Sequence, residues 1–171
     1  MGRRALVPVT VVVAVAAVLL LARDPAPDLT PPPRTDGVHV LDPAGVLGDP
    51  ASGALARELD ALAASGWDVV AVAYTSPQAS EGEAQRGGRA VLEAWGADVV
   101  LVAVAVPGGF TDTAEDRRRY FGIEAGSVRA VPARLREDIT EEVLAPLAAE
   151  NDWPAALQAA AAELAAALPE R

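Results

Sequence analysis

Carboxylates carry most of the chemistry this sequence could perform. Acidic residues number 24 against 14 basic ones, for a net charge of −10. One of them, Asp42, has an informative setting: it closes the apolar-alternating run Val38-His39-Val40-Leu41 and precedes Pro43, Ala44 and Gly45. That pattern describes a strand delivering a carboxylate to the rim of a sheet, where an Asp before Pro and Gly commonly holds the following backbone N–H groups in an Asx-type turn. A second group, Glu137, Asp138, Glu141 and Glu142, could attract cations, but its spacing is that of the acidic outer face of a helix. Arg117 to Arg119 could contact a phosphate or lipid headgroups; with Glu115 and Asp116 just before them, they read better as a surface strand end.

Several reaction classes are excluded or unsupported. The chain has no cysteine, so disulfides, thiolate metal sites and a cysteine nucleophile are absent. His39 is the only histidine, which leaves the serine and threonine hydroxyls without a convincing triad and gives no histidine-based metal cluster. No glycine loop of the P-loop or dinucleotide type occurs. The negative charge opposes a nucleic-acid partner and favours cations as small partners. All basic residues are arginine and alanine is abundant, a composition of the kind GC-rich, actinobacteria-like genomes produce.

The elements that must position these residues follow from periodicity. Residues 5–22 form an uncharged apolar run, about 27 Å long as a helix. Its length favours an uncleaved single-pass membrane anchor (1–23) over a signal peptide, and Arg3 and Arg4 place the amino terminus in the cytoplasm and the remainder outside. Residues 24–36 hold five prolines and read as an extended, semi-stiff linker that holds the domain off the membrane. A single domain then spans 37–169. Asp49-Pro50 is a helix start, with Leu55, Leu59, Leu62 and Ala63 on one face. Residues 67–74 are a strand covered on both faces, and 81–95 a helix weakened by Gly87-Gly88. The run 98–106 should be the centre of the sheet. A long loop over 110–118 leads to a returning strand at 119–125, then a helix over 131–145 that Pro146 breaks or kinks, and a last helix capped by Asn151 or Asp152. The order βαβαββαα predicts a three-layer α/β sandwich, with a mixed central sheet of about four strands and helices on both faces.

In this order and spacing, VHVLDPAGVL, VVAVAY, EAWG before VVLVAVAV, IEAG in the returning strand and the tail DITEEVLAPLAAENDWPAAL resemble the TPM domains. That family is named for thylakoid-lumen phosphatase-like, photosystem-repair and related proteins, and is found in many bacterial exported and membrane proteins. The resemblance covers about residues 38–168. It implies a sheet between helices with a rim crevice that in several members holds Ca²⁺ or Mg²⁺ and in some hydrolyses phosphate monoesters. By motif position Asp42 would be the first metal ligand, and Asp98 lies where the family has an Asp-Asn-Gly triplet. Here those positions read Ala97-Asp98-Val99, so the aspartate is displaced by one residue. The family's Gly-aromatic-Gly-Leu-Glu element is reduced to Gly126-Ser127-Val128-Arg129, which removes a further ligand; Glu124 matches a strand position and is read as facing solvent. Asp42 therefore stands between ligand and turn residue, and Asp98 between ligand and solvated residue. The function expected first is binding or assembly at the envelope with a protein partner, without catalysis. The alternatives are a divalent-metal-dependent phosphatase, and an oligomerising or signalling membrane component that uses the alanine-rich last helix.

Overall fold

The computed structural model describes residues 27–49, 53–111 and 118–171. Its elements are β1 (Val40–Leu41), α1 (Ala54–Ala64), β2 (Val69–Thr75), α2 (Glu81–Trp95), β3 (Val99–Ala105), β4 (Arg119–Ala125), α3 (Ala133–Asp138), a π-helical turn (Ile139–Leu144), α4 (Ala145–Ala149) and α5 (Trp153–Ala167). The four strands lie in the order β1-β2-β3-β4. The first three are parallel and β4 returns antiparallel to β3, the mixed sheet expected. None of the described helices is long and apolar enough to cross a membrane, and the apolar segment 5–22 lies outside the described residues.

β2 and β3 are apolar at nearly every position because both their faces are covered. Val69, Ala71 and Ala73, with Val99, Leu101 and Ala103, point into one core with α1 and α5; Val70, Val72 and Tyr74, with Val100, Val102 and Val104, point into a second core under α2. Gly87 and Gly88, which weaken α2 as a helix, let it approach the sheet. A methyl group on Gly87 would meet the Tyr74 hydroxyl at 2.2 Å, and one on Gly88 would meet Glu124 Cγ at 2.7 Å and Val102 Cγ2 at 2.8 Å.

Four details depart from the expected elements. β1 is only two residues long, since Pro43 has no N–H to continue the ladder. The described part of α1 begins at Ala54, with Gly53 at its cap donating its N–H to the Asp49 carbonyl, rather than at Asp49-Pro50. Pro146 does not break the helical stretch from Ala133 to Ala149. The π turn shifts the register so that Ala145 N–H reaches the Thr140 carbonyl, and the proline falls in the first turn of α4, where its missing N–H costs little.

The fourth departure concerns the proline-rich segment. Over its described part it is extended, but it does not stand free of the domain. Leu29 is buried in the second core beside β2. Asp28 N–H donates to Glu83 Oε1 at 2.8 Å, and the Asp28 carboxylate accepts from the Ser76 hydroxyl. Farther on, the Trp95 indole N–H donates to the Pro32 carbonyl at 2.8 Å, and Arg34 makes a bidentate pair with Asp68. The segment thus runs from the carboxyl end of β2 to its amino end as a strap, covering sheet that α2 leaves open. Proline-rich composition predicted the backbone shape; one buried leucine and a few hydrogen bonds decide where it lies. Leu29→Ala should lower the unfolding free energy by about 2–3 kcal/mol, measured by urea denaturation of the full chain, whereas a merely tethering leucine would change it by less than about 0.5 kcal/mol.

Candidate functional site

The two carboxylates singled out by sequence lie at opposite ends of the sheet. Asp42 directly follows β1, and the register pairs Leu41 with Val72 and Val72 with Val102, which sets Asp42 level with the carboxyl-terminal part of β3. Asp98 directly precedes β3 at its amino end. Five residues along the strands at about 3.3 Å each and two strands across at about 4.8 Å separate them by roughly 19 Å. Oxygen ligands of a hard cation sit at about 2.3–2.6 Å from it, so one ion cannot touch both.

At the carboxyl end, the Asp42 side chain holds a turn. Its Oδ2 accepts the Leu47 N–H at 2.6 Å, its carbonyl accepts the Gly45 N–H at 3.1 Å, and the turn is tied to the sheet by Ala44 N–H donating to the Ala73 carbonyl. Gly45, with φ of 70°, supplies the left-handed step this turn requires. The other oxygen, Oδ1, is buried and has no hydrogen-bond partner among the described residues. Nearby, Phe110 meets Trp153 edge-on with centroids 5.0 Å apart, and Arg119 lies over the Trp153 ring.

The amino end is richer in charge, and its carboxylates are already matched by arginines. Both Asp98 oxygens lie 3.0 Å from Arg171 Nη1, and Oδ2 also accepts the Asp68 N–H at 3.0 Å. The Arg171 guanidinium stacks 3.3 Å from the centre of the Trp67 ring. Asp68, one strand over, takes the Arg34 fork, and His39 Nδ1 sits 3.0 Å from Arg34 Nη2 and 3.3 Å from Asp68 Oδ1. His39 Nδ1 thus lies between a donor, Arg34, and an acceptor, Asp68, while Nε2 is 3.9 Å from Asp60 Oδ1. Burial alone would raise the Asp68 pKa, but the hydrogen bond and charge of Arg34, with His39, outweigh it and hold the carboxyl below its ordinary value. These groups line an open cleft of about 550 Å³.

The remaining candidates disperse. Glu137, Asp138, Glu141 and Glu142 are exposed, as an outer helix face should be. Glu124 does not face solvent as expected; it is half-buried against Gly88, 3.8 Å from Arg89, and burial raises its pKa. Arg129 lines a small cleft beside Trp67 and Arg171. Arg117 lies outside the described residues, while Arg119 hydrogen-bonds Asn151. No group of three or more His, Cys, Asp or Glu that could hold a metal ion occurs among the described residues. Among the described residues the donors a Ca²⁺ or Mg²⁺ ion would need are not gathered: one Asp42 oxygen holds the turn and the other is open, and both Asp98 oxygens lie against Arg171.

Two polar centres had no obvious sequence mark. Glu83, almost fully buried, accepts from Asp28 N–H, from the Tyr74 hydroxyl and from Arg86. Its spacing from Ser80, whose Oγ accepts the Glu83 N–H, is that of a capping box. Asp68 was legible in principle, because Asp68-Val69-Val70 repeats as Asp98-Val99-Val100 at the starts of two parallel strands in register.

A family model described as the TPM domain matches residues 40–167. The chain belongs to this family. Among solved structures, this TPM domain is similar to the N-terminal domain of the cg2496 protein from Corynebacterium glutamicum, with a TM-score of 0.57 and 16% identity over 83% of this chain and 87% of that one. It is also similar to the N-terminal domain of a protein from P. gingivalis, with a TM-score of 0.54 and 16% identity over 75% and 81% of the two chains. At that identity the likeness shows the fold alone. No curated protein sequence matches the chain.

The pH dependence follows from Asp68. Its folded-state pKa lies below the unfolded value, so its contribution is present above that value, about 3.9, and is lost as pH falls through the lower folded value. Asp68→Asn should therefore lower stability above about pH 5, and the difference from wild type should shrink below about pH 4. Urea unfolding of both proteins across that range checks this.

Proposed function

We propose that this TPM domain is a non-catalytic binding module that works at the cell envelope, with the apolar segment 5–22 as its membrane anchor and a protein as its partner. The observation that carries the reading is the fate of the expected ligands. Asp42 and Asp98 stand at opposite ends of the sheet, the first closing a turn and the second paired with Arg171. A phosphatase of this family type needs a cation that polarises a phosphoryl oxygen or activates water, and several oxygens converging on it. One observation favours that second reading, the buried and unpartnered Oδ1 of Asp42. Among the described residues it is one donor where a hard cation needs about six.

The strap modifies the geometry of anchoring. With residues 28–34 packed on the domain, only 23–27 separate it from the apolar run, a stretch that can span at most about 18 Å. The domain is then held near the bilayer with the carboxyl end of β2 closest to it, rather than on a long spacer. For an oligomerising component that uses the last helix there is less support. Ala156, Ala160 and Ala161 of α5 are buried in the core that α1 shares, which leaves only Ala162 and Ala165 to Ala167 exposed to a partner.

Hydrolysis of p-nitrophenyl phosphate by the full chain in detergent, with millimolar Ca²⁺ or Mg²⁺, tests the reading. The expected rate equals that of the Asp42→Ala/Asp98→Ala variant. Metal-dependent turnover abolished by Asp42→Ala would overturn it.

A further inference from the structure

The two edges of the sheet are treated differently. β1 is a two-residue strand, the shortness by which proteins blunt an edge. At the opposite edge, β4 is seven residues long, pairs with β3 in unbroken register and contains no proline or bulge. Its hydrogen-bonding parity can be read from its ends. The Arg118 carbonyl accepts the Val106 N–H at 3.1 Å, and the Gly126 N–H donates to the Asp98 carbonyl at 2.9 Å. Even-numbered residues between them therefore turn to β3, and Phe121, Ile123 and Ala125 turn both N–H and C=O outward. Arg136 Nη1 donating to the Ile123 carbonyl at 3.3 Å agrees with that direction. The outward N–H groups of these three residues have no partner among the described residues.

The Phe121 to Glu124 part of this ladder is the floor of a groove of about 320 Å³, walled by the first turns of α2 and by α3 with the π turn. Glu81 stands on one wall, Glu137 and Glu141 on the other, against a single arginine, Arg136, whose Nε is buried without a hydrogen-bond partner among the described residues. An added strand would lie about 4.8 Å from β4, between the walls. A second copy of this chain would bring the same glutamates and a net charge of −10 against themselves, so self-pairing is opposed by charge. We propose that the β4 edge takes an extended, arginine- or lysine-rich segment of another protein as a fifth strand. Backbone hydrogen bonds to Phe121 and Ala125 and to the Ile123 N–H hold it, Arg136 keeping or yielding the Ile123 carbonyl, and the groove glutamates select its charge. The proposal deepens the binding reading by naming its surface and the class of partner.

The test uses the ¹⁵N-labelled full chain in detergent micelles and an acetylated heptapeptide alternating arginine and valine. Saturable shifts and slowed exchange of the Phe121, Ile123 and Ala125 amides are expected. Binding should weaken at least about tenfold for a peptide with glutamate in place of arginine, and should vanish for one N-methylated at every residue. Glu137→Arg/Glu141→Arg, at two exposed positions, should reverse the charge preference. Equal shifts with the N-methylated peptide, shifts confined to other elements, or β4 amides that respond to protein concentration without peptide would each overturn the proposal. Phosphatase turnover would remove the non-catalytic reading and leave this one standing; unresponsive β4 amides would do the reverse.

Discussion

Two strands buried on both faces are the constraint the rest of the structure answers. Every residue of β3, and all of β2 but Thr75, is inaccessible to solvent, so the sheet needs two complete covers. The first is an ordinary helical layer, with α5 and α1 packed together across β2 and β3. The second is composite. α2 lies over β3 and β4, drawn close by Gly87 and Gly88, and the strap with Leu29 closes the part over β2. Each end of the strap is fixed by a charge inside the domain: Glu83, with Ser76, holds Asp28, and Asp68 holds Arg34. A buried carboxylate such as Glu83 is costly unless its oxygens are satisfied, and the strap's own N–H is one of the groups that satisfies it. Cover and clamp thus depend on each other.

What was legible in the sequence follows the length scale of the signal. Runs such as 99–105 and the capped stretches Ser80 to Gly96 and Asp152 to Ala167 declare themselves, because their periodicity and caps are local. The family resemblance, carried by many weak pieces in order, agrees with the family match over 40–167. Features set by a distant contact were not legible. Prolines 31 to 33 describe an extended chain equally well whether it is free or docked, and Leu29 is a single apolar residue with no period. Glu83 in the first turn of a helix looks like an ordinary complement to the helix dipole, and only the approach of Tyr74 and Asp28 shows it buried. The separation of Asp42 from Asp98 follows from the parallel order of β1, β2 and β3, which a list of motifs does not contain.

The charges at the amino end of the sheet show how two strand-leading acids are met from within the domain. Asp68 and Asp98 start adjacent strands side by side, an arrangement that would attract a cation in isolation. Each is met instead by a guanidinium fixed on an aromatic ring, Arg34 at Trp95 and Arg171 at Trp67. Stacking and hydrogen bonding hold these positive charges against the two carboxylates.

The proposed function rests on neither Asp42 nor Asp98 holding a divalent cation. The most direct measurement is a calcium titration of the ¹⁵N-labelled full chain followed by NMR, read at the amides of Leu47 and Asp68, which hydrogen-bond the Asp42 and Asp98 carboxylates. No saturable shift at either amide up to millimolar calcium is predicted. A saturable shift at Leu47 that disappears in Asp42→Asn, or one at Asp68 that disappears in Asp98→Asn, would contradict it.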